Sequence, residues 1–380
     1  METENRWLAW AEIDLAAVAH NVRSLKALLG GQCRLMAVVK ADGYGHGLGR
    51  VAATALANGA SALGVAKVEE GIRLRQLGID GPILVLGYAP ASLAREIIAH
   101  NLIQTVWSVA EARSFSRAAA AAGTVIPVHF KVDTGMGRLG VSVAAGDMDE
   151  AVRQALAVNQ LPGIALQGVY THLATADEPD KTYAGAQLAL FSRLVDCLRS
   201  AGLTGLTRHA ANSAAVIDLP DAHLDMVRTG IAIYGLYPSA TVDRQRVSLH
   251  PAMALKTRII QLKQVPAGTK VSYGATYTTP RATTLAVVPM GYADGYNRLL
   301  SSRGYMLAGG RRAPVVGRVC MDLTVLDVGG IAGLQVEDEV VVFGRQKDQR
   351  ITVEEIATAL NTINYEVVTA MTDRVPRVYV

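Results

Sequence analysis

The stretch RLMAVVKADGYGHG, residues 34–47, decides how the rest of the chain is read. It opens as an apolar run with two adjacent valines and breaks at Lys40 into turn residues punctuated by glycine. An apolar run of this length, bounded by Gly and Asp, reads as a buried strand of a parallel sheet. Lys40 then stands at the strand's carboxyl end, where α/β folds place their chemistry. A lysine there is partly stripped of water, which makes its proton easier to lose. The neutral amine is a nucleophile that forms a Schiff base with a carbonyl compound. A lone lysine at a strand end more often just snorkels to solvent, so the reading depends on the other strand ends.

Working outward, residues 1–13 read as an edge strand with Trp7, Trp10 and Ile13 as apolar points. Asp14 reads as a helix N-cap, followed by Leu15, Val18, Val22 and Leu25 on one helical face and a stop at Gly30. Downstream, short apolar runs recur at 62–66, 82–88, 103–107, 126–133, 164–172, 208–213 and 224–228. Helical patterns separate them at 68–77, 92–100, 109–122, 148–158 and 183–201. Strands alternating with helices imply right-handed crossovers and a parallel sheet. With 34–40 there are eight strand candidates, the number and spacing of a (β/α)8 barrel over residues 14–240. An open, doubly wound sheet is the alternative. Near Pro251 the pattern changes to alternating strands at 254–261, 270–277, 284–289, 313–328 and 339–343, with one short helix at 353–360. These predict a smaller, mostly β domain made of residues 1–13 and 245–380, joined through a polar linker at 237–250.

Composition narrows the class. Half of the 380 residues are hydrophobic and only 5% aromatic, which suits Ala- and Val-rich helices packed on a parallel sheet. The net charge of +4 comes from scattered lysines and arginines. There is no basic stripe with interleaved aromatics, so no nucleic-acid partner is expected. Cys33, Cys197 and Cys320 are far apart and form no CxxC, which argues against a disulfide framework or a zinc site and for a reducing cytoplasm. No signal-peptide core or bilayer-length apolar run stands in the sequence, so a cytoplasmic chain without a membrane partner is expected.

The residues at the predicted strand ends form a coherent set. Strand one gives Lys40 and then Tyr44; strand five gives Lys131 and Asp133, leading to Arg138. Strand six gives His172, strand seven Asn212 and Ser213, and strand eight Arg228 followed by Thr229, Gly230 and Ile231. Loops after strands seven and eight of a barrel often hold phosphate on backbone amides. Ser213 would add a hydroxyl, and Gly230 would let the Ile231 amide come close. A cofactor with both an aldehyde and a phosphate would join this cradle to Lys40, which points to pyridoxal phosphate with Arg228 at its ring nitrogen. Each piece has a plainer reading: His172 as a satisfied core histidine, Asn212 as a helix cap, Lys131 and Arg138 as surface charges. Only their joint placement favours the cofactor.

The motifs WAEIDL, AVVKADGYGHG, KVDTGMGRLG, HAANSAA, VRTGIAIYG, VSYGATY, GYADGY, GRVCMDLTVLDV and TINYE occur in this order along the chain. In them the sequence resembles the alanine racemases, fold type III pyridoxal-phosphate enzymes, over essentially its whole length. The resemblance implies a barrel plus a β domain in a head-to-tail homodimer that interconverts L- and D-alanine, providing D-alanine for peptidoglycan. It implies that Lys40 carries the cofactor and serves as one acid/base, with Tyr273 of the second subunit as the other. It further implies Tyr44, Ser213, Gly230, Ile231 and Tyr365 on the phosphate side, with Asn212 beside them. Arg228 and His172 would lie at the ring nitrogen, and Arg138 would orient substrate, held by a Lys131 that is carbamylated in many members. Tyr292, Met321 and Asp322 would line the entrance and the substrate carboxylate site. No metal is implied. Thr229 and Asn297 stand where many members carry proline, which bears on substrate range, while Tyr365 matches the alanine-type pattern. Competing readings are a serine or broader-specificity racemase, a pyridoxal-phosphate carrier built of the barrel alone, and a fold type III decarboxylase. VSYGATY and CMD disfavour the carrier; Arg228, where an acidic residue would stand, disfavours the decarboxylase.

Overall fold

The computed structural model describes residues 7–143 and 147–380, which divide into two compact units. Residues 1–6 of the stretch read as an edge strand lie outside the described residues. One unit runs from Ala17 to Gly43 and from Leu48 to His250. The other joins the described residues up to Ala16, the tetrapeptide Tyr44–Gly47, and Pro251–Val380.

The larger unit holds eight parallel strands: Arg34–Val38, Ala62–Val65, Ile83–Val85, Ile103–Val106, Ile126–Asp133, Ile164–Tyr170, Thr207–His209 and Met226–Thr229. They are called the first to eighth barrel strands below. Their order in the sheet is eighth, first, second and so on to seventh, each parallel to its neighbour. An open doubly wound sheet would reverse its order at a switch point; here the order is sequential and wraps round. The seam between seventh and eighth strands carries no ladder, but Asp225 N donates to Arg208 O (3.2 Å) and Arg228 N to Ala211 O (2.9 Å). A fork of Arg208 onto the Asp225 carboxylate, at 2.8 and 2.7 Å, crosses the same seam. The sheet is thus a nearly closed barrel. Met36, Ala62, Leu84 and Met226 fill part of its core.

The connecting helices bury one stripe each. In Val109–Ala121 the buried residues Ala112, Phe115, Ser116 and Ala119 recur at three- and four-residue spacing, and Ser108 Oγ caps the start by accepting from Glu111 N. Strand ends differ from the sequence expectation wherever a polar loop was read as strand. The sixth strand stops at Tyr170, two residues before His172, and the seventh at His209, because Ser213 already opens the helix Ser213–Asp218.

The second unit is mostly β. Its main sheet runs Arg311–Pro314, Tyr305–Ala308, Glu339–Gln346, Met253–Arg258, Ala9–Ile13, Arg377–Tyr379. Met253–Arg258 alternates buried and half-buried residues, as a one-sided strand should. The predicted strand 254–261 is in fact two. After Arg258, Ile259 N bonds Asp338 O in the first sheet and Ile260 N bonds Val287 O in the second, so the chain changes sheets and continues as Gln261–Val265. The predicted strand 270–277 is interrupted by a 3-10 turn at Tyr273–Ala275. The predicted strand 313–328 is also interrupted, leaving Arg311–Pro314 and Thr324–Asp327 on either side of a loop. Helices Val353–Leu360 and Asn364–Thr369 complete the unit. Among the described residues no helix is long and apolar enough to cross a membrane, and no group of His, Cys, Asp or Glu could hold a metal ion.

Candidate active site

Lys40 opens a loop of unusual conformation. Ala41, Asp42, Gly43 and Tyr44 have φ of 53°, 52°, 63° and 51°, a turn of left-handed helix. Each non-glycine residue held there costs about 1–2 kcal/mol, so neighbouring groups must hold the turn. Glu70, in the first turn of Val68–Gln76, does much of this: Oε1 accepts from Ala41 N (2.7 Å) and Oε2 from Ala66 N (2.7 Å). Asp42 Oδ1 accepts from Leu48 N at 3.0 Å and lies 3.5 Å from Arg73. The Lys40 amine is left half-buried. Its pKa is lowered from the ordinary lysine value, first by burial and then by the positive charge of Arg138, with Glu70 opposing.

Around the barrel's interior the side chains are mostly cationic or neutral. Arg228 is buried; Nη2 donates to Thr171 O (2.7 Å), Ala210 O (3.0 Å) and His172 Nδ1 (3.1 Å), and Nη1 donates to His209 Nδ1 (3.0 Å). It forms no ion pair among the described residues, and its Nε–H bonds no acceptor there. Burial brings its pKa down to about 10. Lys131 lies 5.1 Å over the Tyr170 ring, and its pKa falls to about 7, through burial first and then repulsion from Arg228 and Arg138. His172 and His209 are pushed well below the usual histidine value by burial and by Arg228. Such a cluster favours bound anions. Asp133 does not neutralise it freely. Its carboxylate accepts from the amides of Gly135 (2.9 Å), Met136 (2.7 Å) and Arg138 (3.1 Å), so it shapes the loop that carries Arg138.

The seventh and eighth strands end side by side. Asn212 Oδ1 accepts from Ala215 N (3.0 Å) and caps the helix that Ser213 begins, so the plainer reading of Asn212 is realised here. Ser213 Oγ accepts from Gly230 N at 2.9 Å and Ala232 N at 3.4 Å, which leaves its O–H to donate. Ile231 starts the 3-10 segment Ile231–Tyr234 directly after Gly230. Asn212→Ala should lower stability of the cofactor-free protein by about 1 kcal/mol, and the melting temperature by roughly 2–4 °C; calorimetry would check this. The two departures from proline have local roles. Thr229 Oγ1 donates to Met36 O at 3.4 Å, and Asn297 Oδ1 accepts from Leu299 N at 2.9 Å.

The second unit holds the remaining candidates. The buried Tyr44 ring is tilted against Tyr365, centroids 6.1 Å apart. Gly45 is required against the helix Asn364–Thr369, since a Cβ there would stand 2.1 Å from Val368 O, and Arg377 Nε grips Gly45 O at 2.9 Å. Tyr273 sits 70% exposed on a strained turn in which Ser272 has φ 62° and Ala275 φ 48°. Ser272 Oγ fixes that turn by donating to Arg318 O (2.6 Å). Tyr292 and Met321 are held together by backbone bonds, Tyr292 N to Cys320 O (3.1 Å) and Ala293 N to Met321 O (3.0 Å). Arg374 ties Asp322 (2.7 Å) to Asp294 (3.2 Å) behind them.

The barrel thus gathers Lys40, Lys131, Arg138, His172 and Arg228 into one electrostatic cluster, with Ser213 and Gly230 in a second group at the adjacent seventh and eighth strand ends. The second unit gathers Tyr44 with Tyr365, and Tyr292 with Met321 and Asp322. Sequence reasoning missed His209, Tyr170 and His129. The available signal was period two along the strands: 129, 131 and 133 on the fifth, and 168, 170 and 172 across the end of the sixth, alternate toward one face.

Known proteins resemble this chain over both of its units. Residues 13–238 match the family model "Alanine racemase, N-terminal domain", and residues 252–379 match "Alanine racemase, C-terminal domain". The chain is 62% identical over 379 residues to the alanine racemase of Desulfosudis oleivorans, covering 99% of this chain and 97% of that one. It is 48% identical to the alanine racemase of Desulforamulus reducens, covering 98% of both chains. Among solved structures, alanine racemase of Clostridium difficile 630 matches with a TM-score of 0.94 at 40% identity, covering 99% of this chain and 97% of that one. Alanine racemase of Bacillus anthracis with bound L-Ala-P matches with a TM-score of 0.92 at 35% identity, covering 98% and 95%. The chain belongs to the alanine racemase family.

Proposed function

We propose that this protein interconverts L-alanine and D-alanine with bound pyridoxal phosphate, moving the α-proton between Lys40 on one face of the substrate and Tyr273 of a second copy on the other. The observation that carries the reading is the pairing of an amine of lowered pKa, Lys40, with a buried guanidinium, Arg228, that has no carboxylate partner among the described residues and an Nε–H unused by them. The barrel residues fit the cofactor: an amine for its aldehyde, a donor for its ring nitrogen, and the Ser213 hydroxyl with the Ile231 amide beside Gly230 for its phosphate; the proposal assigns Tyr44 and Tyr365 to the same phosphate. When bound, the cofactor withdraws electrons from the substrate's α-carbon and makes its proton removable.

The chain's own groups do the rest. Lys40, whose proton burial makes easier to lose, accepts a proton from one face or returns it. Tyr273 does the same from the opposite face, which spares a single base from swinging across the substrate. Arg228 stays protonated at neutral pH, so it would hold the ring nitrogen as a donor without protonating it. That tempers electron withdrawal and limits side reactions such as transamination. Arg138 would bind the substrate carboxylate, with Tyr292, Met321 and Asp322 lining the entrance and the space around that carboxylate. Homodimerisation fits the large exposed side chains Tyr273, Leu299, Met321, Leu323 and Ile363 of the second unit, which a single chain leaves in water. D-alanine for peptidoglycan, made in the cytoplasm, is the role that follows.

Lys131 belongs to the same proposal. With its pKa near 7 a large share of the amine is neutral at physiological pH, and that share attacks carbon dioxide, forming an N–C bond and releasing a proton. The resulting carbamate places a negative charge beside Arg138 where a neutral amine stood. Its occupancy should rise as pH passes through about 7 from below, because protonated lysine does not react. A carbamate resonance from 13C-bicarbonate, absent in Lys131→Ala, would show it; no resonance at pH 8 would refute it. The reaction itself is tested by decay of the optical rotation of L-alanine, then of L-serine, with added pyridoxal phosphate. Fast decay with alanine and slow decay with serine is expected. The reverse order would make the protein a serine racemase.

A further inference from the structure

Arg228 is held by His209, and His209 is held by a third residue that none of the assignments above uses. His129 Nδ1 lies 2.8 Å from His209 Nε2. Both rings are buried, and His209 is stacked on Tyr170 with centroids 4.6 Å apart and planes at 7°. The fold makes specific provision for this contact. His129 sits on the fifth strand and His209 on the seventh, with the sixth between them. The residue paired with His129 on the sixth strand is Gly168, where a Cβ would stand 2.7 Å from both Cε1 and Nδ1 of the ring. The imidazole therefore crosses the sixth strand over a missing side chain. The strand register also slips by one residue between Val128 and His129, as a bulge that re-aims a side chain does.

The direction of every hydrogen bond in the row follows from one fact: a guanidinium only donates. Arg228 Nη1 donates to His209 Nδ1, so that nitrogen carries no proton. Neutral His209 then carries its proton on Nε2 and donates it to His129 Nδ1, and neutral His129 is left with its proton on its own Nε2. No other arrangement of two neutral rings satisfies both contacts. Burial and the nearby arginines keep both rings neutral.

We propose that His129 is a positioning residue for the racemase reaction: by accepting from His209 across Gly168 it locks the His209 tautomer, and so fixes the Arg228 guanidinium that faces the cofactor ring. Without that acceptor, His209 has a buried N–H with no partner. The ring then gains by turning over or taking the other tautomer, which points a proton at Arg228 and releases Nη1.

This rests on the racemase reading for its kinetic part but not for its structural part, so two arms separate them. In protein labelled with 15N-histidine and free of cofactor, His129 and His209 should both show the Nε2–H tautomer at neutral pH. His129→Asn places an amide oxygen near the position of Nδ1 and should leave the His209 signals unchanged. His129→Leu should turn His209 into a mixture of tautomers. In the holoenzyme, His129→Leu should lower kcat about tenfold or more with little change in KM for alanine, and His129→Asn should restore most of it. An Nδ1–H proton on either histidine in the wild-type protein would overturn the proposal. So would a His129→Leu variant that keeps the His209 tautomer, or one that folds and keeps its kcat. If His129→Leu fails to fold, the wild-type tautomers and the His129→Asn variant still decide.

Discussion

Lys40→Ala is expected to lower turnover of L- and D-alanine by at least about 10⁴-fold and to remove the yellow colour of protein supplied with pyridoxal phosphate. The amine has two proposed tasks, holding the cofactor covalently and carrying the proton on one face, and alanine can do neither. The fold should survive. The left-handed turn at residues 41–44 is held through the Ala41 amide on Glu70 and the Asp42 carboxylate on Leu48 N, neither of which involves the lysine side chain. Removing one positive charge from a cluster that already depresses the Lys131 and His172 pKa values also relieves repulsion. The melting temperature of the cofactor-free variant should therefore equal or slightly exceed the wild type. The Lys131 pKa should move back toward the ordinary lysine value, because Lys40 is one of the groups that lowers it. A colourless, folded, inactive protein is the expected result. A yellow Lys40→Ala protein with measurable turnover would place the cofactor's anchor elsewhere.

Tyr273→Phe is expected to keep the colour and lose about 10²–10⁴-fold in turnover, the range for removing one general acid or base. At 70% exposure within one chain, the tyrosine contributes little to its own domain's core, so the change should leave stability alone. The loss in kcat/KM must be the same in both directions, because the equilibrium constant between mirror-image amino acids is one. The asymmetry appears in isotope exchange instead. In heavy water, Lys40 should still remove and return the α-proton of D-alanine without inversion. L-alanine, whose proton the proposal assigns to Tyr273, should exchange far more slowly. Equal exchange from both isomers would remove Tyr273 from that role.

Much of this was legible in the sequence. The eight apolar runs became eight parallel strands because a sheet covered on both faces needs continuous hydrophobic strands, and that pattern survives in composition. Lys40 and Arg228 stood out because strand ends are predictable once strands are. The breaks in the second unit were hidden. Nothing in the letters shows that Ser272 takes φ 62°, or that Gly317 is there because a Cβ would meet Ser272 at 2.9 Å. The change of sheets left one trace, the adjacent pair Ile259 and Ile260, where the apolar positions shift from odd to even numbers, and a single strand reads straight across it. His129 lies inside the largely apolar strand Ile126–Asp133 and His209 ends the short strand Thr207–His209, and a histidine in either place reads as a satisfied core residue. Only three-dimensional pairing shows that they meet each other and Arg228, and that Gly168 is glycine to let them.

The proposed site takes Lys40 from one chain and Tyr273 from another, and mixing two dead variants tests this most directly. Heterodimers of Lys40→Ala and Tyr273→Phe subunits, isolated through two different affinity tags, contain one site with both groups and one with neither. They should show about half the activity of the wild-type dimer, while each variant alone remains inactive. Confirmed heterodimers with no recovered activity would mean that both groups act within a single chain or that Tyr273 is not the second base.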